Sequence, residues 1–318
     1  MNKSIDNVYL INMDKDKERL KNVTKELDKF NIKFERISGI NPKILTNKQK
    51  NKYVTNFCQK YCSNGAIGCG LSHFKIYEDV LKKKYNNVIV LEDDIYLTDD
   101  FLQILNDVLN ELPNDYDILY IGSFGLSDLD QYYDYNILLK LVANNKKIIL
   151  NKNNIYVPEF PLGTHAYIIS NNGCKKILKY LNKINFHIDW QIALNKKYLN
   201  IYATNKKIVY QNWENSNNSN MLAFPKYPNM LLNKIYDKNK IPYSYIFNVH
   251  IIKIFDINIR LWHIIFFLFG LLNNKYINII LLIYLFIDFD YDYDFIFILL
   301  LGILTNLFLN FSYYYYNK

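Results

Sequence analysis

Asn87-Val88-Ile89-Val90-Leu91-Glu92-Asp93-Asp94-Ile95-Tyr96-Leu97 is the stretch that decides how this chain is read. Val88 to Leu91 form an unbroken apolar run of strand length, the pattern of a buried strand. The run ends on three adjacent carboxylates, and a second apolar triplet follows at once. Adjacent anions repel one another and resist leaving water. A solvated turn tolerates such a cluster, but Val-Ile-Val-Leu on one side and Ile-Tyr-Leu on the other argue for partial burial. A bound cation is the simplest way to hold it there, and hard carboxylate oxygens suit Mg²⁺ or Mn²⁺. Strand alternation puts Glu92 and Asp94 on one side and Asp93 on the other. The competing reading is an acidic strand end with no ligand.

Outward from this stretch the pattern is one of alternating strands and helices. Val8 to Asn12 reads as a buried strand. Asp14 caps a helix in which Leu20, Val23, Leu27 and Phe30 recur at helical spacing, and Phe34 to Ile37 reads as a second strand. Asn64-Gly65-Ala66-Ile67-Gly68-Cys69-Gly70-Leu71-Ser72-His73 reads as a tight glycine turn opening a helix. Beyond the acidic triplet, a helix from Phe101 to Leu112, strands at Asp117 to Gly122 and Leu162 to Ser170, and short strands at Ile201 and Ile208 continue the alternation. Residues 125 to 157 read as an insertion or mobile loop over the site, and Asn212 to Asn220 as a polar loop. Such alternation points to an α/β sheet.

The 318 residues suffice for one large α/β domain and an appendage. Apolar runs at Ile257 to Leu272, Ile277 to Ile287 and Phe295 to Phe311 mark a hydrophobic, mostly helical tail, so the chain divides into residues 1–240 and 241–318. Phe295 to Phe311 approaches the length of a spanning helix, about 17–25 residues. The alternative for the tail is a small second domain of buried helices. The net charge is +8, and the tail opposes it: after His263, Lys275 and Lys318 face Asp288, Asp290, Asp292 and Asp294. The remainder carries about +10, which favours anionic partners such as a nucleotide diphosphate or a membrane face. No arginine-rich segment or nucleic-acid module accompanies that charge, so nucleic acid is not expected. The N-terminus has no apolar segment of signal-peptide length. A cytosolic catalytic domain is therefore expected, with the tail on a membrane. Cys58-x₃-Cys62 near His73 matches no standard zinc spacing, and reduced thiols are expected at the four cysteines.

Four motifs in order resemble glycosyltransferase family 25, which includes bacterial lipooligosaccharide β-galactosyltransferases and collagen galactosyltransferases. They are Val8-Tyr9-Leu10-Ile11-Asn12-Met13-Asp14 with Glu18-Arg19-Leu20; Gly68-Cys69-Gly70-Leu71-Ser72-His73; Leu91-Glu92-Asp93-Asp94; and Gly163-Thr164-His165-Ala166-Tyr167-Ile168-Ile169-Ser170. Asp189-Trp190 falls where that family has an acidic residue after its last core helix. The resemblance covers roughly residues 7–215. It implies a GT-A fold, a Rossmann-like nucleotide-sugar domain with a DxD-type metal motif, written here Glu-Asp-Asp with Glu92 at the first position. It further implies transfer of a hexose, with galactose favoured, from a UDP-sugar to a glycan, glycolipid or glycoprotein hydroxyl.

Chemistry then assigns roles. A divalent ion neutralises the departing diphosphate, with Asp94 as direct ligand and Glu92 or Asp93 on the ribose or a metal-bound water. Arg19 offers a planar cation to the donor. Ser72 and His73, at a helix opening, favour an anion. Inverting transfer needs one carboxylate as base, and Asp189 is the candidate. Trp190 offers a ring to a sugar face, and His165 lines the same pocket or donates to the metal. Each has a structural alternative: a surface arginine, a capping serine, a packed histidine, an N-cap aspartate with a core tryptophan. The rival functions are a non-catalytic nucleotide- or carbohydrate-binding module on a membrane anchor, and a phosphohydrolase. No second carboxylate or histidine cluster at two-metal spacing supports the phosphohydrolase.

Overall fold

The computed structural model describes residues 3–124, 154–158, 161–212, 226–232, 243–248, 250–254, 257–272, 274–287 and 293–316. The loop expected over the site lies outside the described residues for 125–153, as does the polar loop beyond Asn212. The chain forms two compact units, Met1–Ser216 and Asn217–Lys318, dividing ahead of the change in composition near residue 240.

The first unit is built on a seven-stranded sheet. Its strands are β1 (Asn7–Asn12), β2 (Glu35–Ser38), β3 (Asn87–Glu92), β5 (Ile118–Phe124), β6 (Ile155–Tyr156), β7 (Leu162–Ser170) and β8 (Ile201–Thr204), in the order β2-β1-β3-β7-β5-β8-β6. β1, β2 and β3 are parallel; β7 and β6 run against their neighbours. β4 (Ile95–Leu97) and β9 (Val209–Gln211) form a separate antiparallel pair. The result is a mixed, mostly same-direction α/β sheet of Rossmann-like character.

β3 is continuously apolar because helices cover both faces. Val88 and Val90 enter one core beside Tyr9, Tyr167 and Ile169, under α4 (Asn64–Lys83) and α6 (Asn171–Tyr180). Ile89 and Leu91 enter the other, beside Leu10, Ile168 and Leu119, under α1 (Lys17–Asp28) and α5 (Phe101–Glu111). Each such side chain, buried fully, contributes about 1.5–3 kcal/mol. The alternation fixes which neighbours greet the strand as it ends: Glu92 is in phase with Val88 and Val90, hence on the α4 side.

The expected glycine turn at Gly65 to Gly70 is helix. Ser63 is the N-cap of α4, accepting from the Ala66 N–H at 3.2 Å, and all three glycines lie inside the helix. Gly68 and Gly70 serve close packing. A Cβ on Gly68 would stand 2.5 Å from the Ile40 carbonyl oxygen, and one on Gly70 2.6 Å from Ile184 Cδ1. Helix propensity alone favours Gly68→Ala by about 1 kcal/mol. The backbone contact reverses the sign, and overpacking of this kind costs about 1–3 kcal/mol. Gly68→Ala is thus expected to lower the urea midpoint of unfolding; a raised midpoint would contradict this packing.

The expectation of four reduced thiols is also corrected. Cys58 and Cys62 form a disulfide at the end of α3 (Asn56–Tyr61), where one turn brings their Cα atoms to 4.6 Å. Cys69 and Cys174 are free.

In the second unit, β10 (His250–Ile254) and β11 (Ile257–Arg260) form a hairpin. It leads into α10 (Leu261–Leu272), followed by α11 (Lys275–Ile287) and α12 (Tyr293–Tyr316). α10 and α12 meet at two glycines: a Cβ on Gly302 would lie 3.1 Å from the Gly270 Cα. His263 stacks on Phe295, ring centroids 3.9 Å apart. Leu304, Phe308 and Phe311 stay exposed. Among the described residues, one helix, Asp294–Ser312, is long and apolar enough to cross a membrane; Leu261–Leu272 and Lys275–Tyr284 are shorter.

Candidate active site

The acidic triplet sits where β3 ends. β3 stops at Glu92, and Asp93 and Asp94 form the turn into β4. Alternation therefore does not extend through the triplet, and the expected pairing of Glu92 with Asp94 on one side is not what forms. Asp93 and Asp94 converge instead on Arg19 of α1, whose Nη2 lies 2.8 Å from Asp93 Oδ1 and 2.5 Å from Asp94 Oδ2. Asn12, at the end of β1, donates to Asp93 Oδ2 at 2.6 Å. Gln211, at the end of β9, donates to Asp94 Oδ2 at 2.8 Å, and the Asn212 N–H reaches the Asp94 carbonyl.

Three buried atoms in this group lack hydrogen-bond partners: Asp94 Oδ1, Arg19 Nε and Gln211 Oε1. Burial pushes the Asp94 carboxyl up to about 7; Arg19 and Gln211 oppose the rise, while Glu92 and Asp93 add to it. Burial likewise raises Asp93, against Arg19 and Asn12. A cavity of about 260 Å³ opens here, lined by Arg19, Asn22, Lys25, Asp93, Asp94 and Tyr96, among others. Tyr96 stacks on Tyr210, centroids 5.3 Å apart and planes within 11°.

Glu92 faces a different set of groups. Its Oε1 accepts from Thr164 Oγ1 at 3.0 Å and lies 3.5 Å from His73 Nε2. Burial pushes its pKa up, but the neighbouring His73 and His165 rings and the Thr164 hydroxyl outweigh that and hold it below the ordinary range. His73 Nδ1 meets Tyr167 Oη at 2.8 Å, and that hydroxyl meets Tyr77 Oη at 2.7 Å.

Ser72 and His73 are not at a helix opening. Both lie well inside α4 and are buried. Ser72 Oγ accepts from the Ile40 N–H at 2.9 Å and donates to the Gly68 carbonyl at 2.7 Å, tying the loop after β2 to the helix. His165 is buried within β7, and burial pulls its pKa down to about 4, partly offset by Glu92. The imidazole is neutral at pH 7.

Asp189 lies in the first turn of α7 (Ile188–Leu194) and is half-buried. Its carboxylate accepts from the Gly163 N–H at 3.0 Å and from the Trp190 N–H at 2.8 Å. Gly163 has φ 85°, a left-handed conformation that glycine adopts freely, and the next residue, Thr164, is the donor to Glu92. Asp189 and the acidic triplet are thus joined through two successive residues of β7. The charges of Glu92, Asp189 and Asp94 all reach the Cys69 thiol, after burial the main influences raising its pKa. Trp190 packs edge-on to Phe186 at 6.3 Å.

The sequence that carries these residues matches a known family. The family model described as glycosyltransferase family 25 (LPS biosynthesis protein) matches residues 5–192. The chain belongs to glycosyltransferase family 25. The matched segment contains Arg19, Ser72, His73, the acidic triplet, His165, Asp189 and Trp190. Gln211 and Asn212 lie beyond it. A Drosophila melanogaster protein named glycosyltransferase 25 family member is 26% identical over 193 residues, covering 57% of this chain and 29% of that protein. Human procollagen galactosyltransferase 2 is 22% identical over 184 residues, covering 54% and 27%. The chain therefore spans less than a third of either family 25 relative's length.

Three polar contributors escape a sequence reading: Asn12, Gln211 and Asn212. Asn12 closes an apolar run and Gln211 follows another, so an amide at a strand's carboxyl end was the available signal. What placed Gln211 beside Asp94 is the β4–β9 pairing, Ile95 opposite Gln211.

Proposed function

We propose that this chain is a metal-dependent glycosyltransferase of GT-A type. In this reading it moves a hexose, galactose by analogy with the procollagen galactosyltransferases, from a UDP-sugar to a hydroxyl of a glycan, glycolipid or glycoprotein. The observation that carries the reading is Asp94: a buried carboxylate with one oxygen uncommitted, beside a second carboxylate and an open cavity. A carboxylate withdrawn from water with no partner on one oxygen is costly, and a hard divalent cation relieves that cost. Mg²⁺ or Mn²⁺ fits the oxygen donors. Asp94 and Asp93 would hold it, and when bound it supplies Lewis-acid stabilisation of the departing diphosphate.

The chain's own residues do the rest. Arg19, now shared between Asp93 and Asp94, turns its guanidinium to phosphate oxygens, which it suits by shape and charge. Tyr96, on the cavity wall, offers its ring to the nucleobase. Glu92, held by Thr164 and His73, keeps β7 in register with the triplet and orients the ribose side of the site. Asp189 takes the acceptor proton: the Gly163 and Trp190 N–H groups fix its orientation and leave lone pairs for a hydroxyl. Trp190 borders the acceptor. The second unit attaches the enzyme to a membrane through α12, with the first unit on the cytosolic face.

The two backbone bonds to Asp189 also suit the rival reading, a binding module in which this aspartate only caps a turn. Titration calorimetry with UDP on the full chain in detergent tests the site itself: binding is expected with Mn²⁺ and absent with chelator. Asp189→Asn then separates the readings. It is expected to leave UDP binding unchanged and to slow UDP-sugar turnover by about 10²–10⁴-fold, the range for loss of a general base. Unchanged turnover would remove Asp189 from the chemistry.

A further inference from the structure

Cys69 and His73 are four residues apart on α4 and so share one face of it. That face meets the end of β3 at Glu92. One ligand-type atom from each of Cys69, His73 and Glu92 lies within 4.8 Å of the others. His73 is fully buried, and its Nε2 has no hydrogen-bond partner, though it points at Glu92 Oε1 3.5 Å away. Two ligands of a tetrahedral zinc ion, each about 2.0–2.2 Å from the metal, stand about 3.3–3.6 Å apart, the separation already present between His73 Nε2 and Glu92 Oε1. On the other side of the ring, Nδ1 is held by Tyr167 Oη, itself held by Tyr77. Such an outer partner fixes a ligating histidine's tautomer and orientation.

We propose that Cys69, His73 and Glu92 form a second metal site, distinct from the Asp93–Asp94 group and selective for zinc. The donor set decides the selectivity: a thiolate and an imidazole are soft ligands that favour Zn²⁺ over Mg²⁺ or Mn²⁺, which the all-oxygen pair suits. His73 binds through Nε2 while Nδ1–H donates to Tyr167. Cys69 gives up its thiol proton to solvent on binding, and Glu92 ligates while still accepting from Thr164 Oγ1. Cys69 and Glu92 are both partly exposed, the Glu92 side chain at 24%, so water completes the fourth position. The ion clamps α4 to the strand end that carries the acidic triplet, holding Glu92 on the α4 side and leaving Asp93 and Asp94 to the donor.

The full chain in detergent, stripped with chelator, reloaded with ZnCl₂ and dialysed, is expected to retain one zinc per chain by elemental analysis. Cobalt in place of zinc is expected to give a thiolate-to-metal charge-transfer band and tetrahedral visible bands. Cys69→Ala is expected to abolish the charge-transfer band and weaken zinc retention at least about tenfold, the scale of losing an affinity-setting contact. Asp94→Asn and the double variant Cys58→Ser/Cys62→Ser are expected to keep both signals. Failure of the wild-type chain to retain zinc or to show the band would overturn the proposal. So would retention undiminished in Cys69→Ala, or loss in the Cys58/Cys62 variant, which would move the metal to that pair.

Discussion

Asp94→Asn is expected to reduce Mn²⁺-dependent UDP-sugar turnover by at least about a hundred-fold and to weaken Mn²⁺-dependent UDP binding in parallel. The substitution keeps the volume, removes the negative charge and replaces one carboxylate oxygen by an NH₂ group that cannot ligate a cation. Lewis-acid stabilisation of a departing phosphate is worth several kcal/mol, and each 1.36 kcal/mol is tenfold in rate, so about a hundred-fold is a lower bound. The apo protein should tolerate the change. Asp94 is buried, Gln211 and Arg19 are its bonded partners, and its other oxygen has no hydrogen bond to lose. A neutral amide even removes repulsion with Asp93 and Glu92. The signature is thus loss of turnover without loss of stability. Equal turnover with Mn²⁺ would mean that Asp94 is not a ligand; a collapse of stability would mean that its role is structural.

The second large effect is on folding. Lys176→Met is expected to lower stability by about 3 kcal/mol, the low end of the range for breaking a buried ion pair. Asp117 is wholly buried at the start of β5, and its carboxylate accepts from Lys176 Nζ at 2.5 Å, from Asn172 Nδ2 at 3.0 Å and from the Asn200 N–H at 2.8 Å. Lys176 supplies the only cation among those bonds, and it is itself partly exposed, which argues for the low end. Its backbone is also engaged: the Asp117 carbonyl accepts from the Ser170 N–H at 3.0 Å, and a Cβ on Gly173 would collide with that same carbonyl. The buried charge therefore cannot move out to water. At about 2–4 °C per kcal/mol for a unit of this size, the melting temperature falls by roughly 6–12 °C. Adding Asp117→Asn removes the stranded charge and is expected to recover part of the loss. If the single variant melts within 2 °C of wild type, the pair contributes little to the fold.

Much of the architecture was legible because burial leaves a one-dimensional trace. Val88 to Leu91 reads as a strand since both faces are covered, and Leu20, Val23 and Leu27 read as a helix since one face is. What stayed hidden depends on three dimensions. Gly68 and Gly70 look alike whether they open a turn or admit a close neighbour; Ile40 and Ile184, which approach them, are distant in sequence. Asp93 and Asp94 converge because the strand stops at Glu92, and a strand's last residue is not written in its apolar run. Cys58 and Cys62 are bonded where compartment arguments favoured thiols, since spacing permits a pair without requiring it. Gln211 reaches Asp94 only through strand pairing across more than a hundred residues.

The most direct measurement is UDP release. The full chain in detergent is incubated with a panel of UDP-sugars, with and without Mn²⁺, alongside Asp94→Asn and Asp189→Asn. The expected result is Mn²⁺-dependent release from one sugar, with UDP-galactose first among candidates, lost in both variants. No release from any sugar, together with UDP binding indifferent to Mn²⁺ and to Asp94→Asn, would contradict a metal-dependent transferase centred on Asp94.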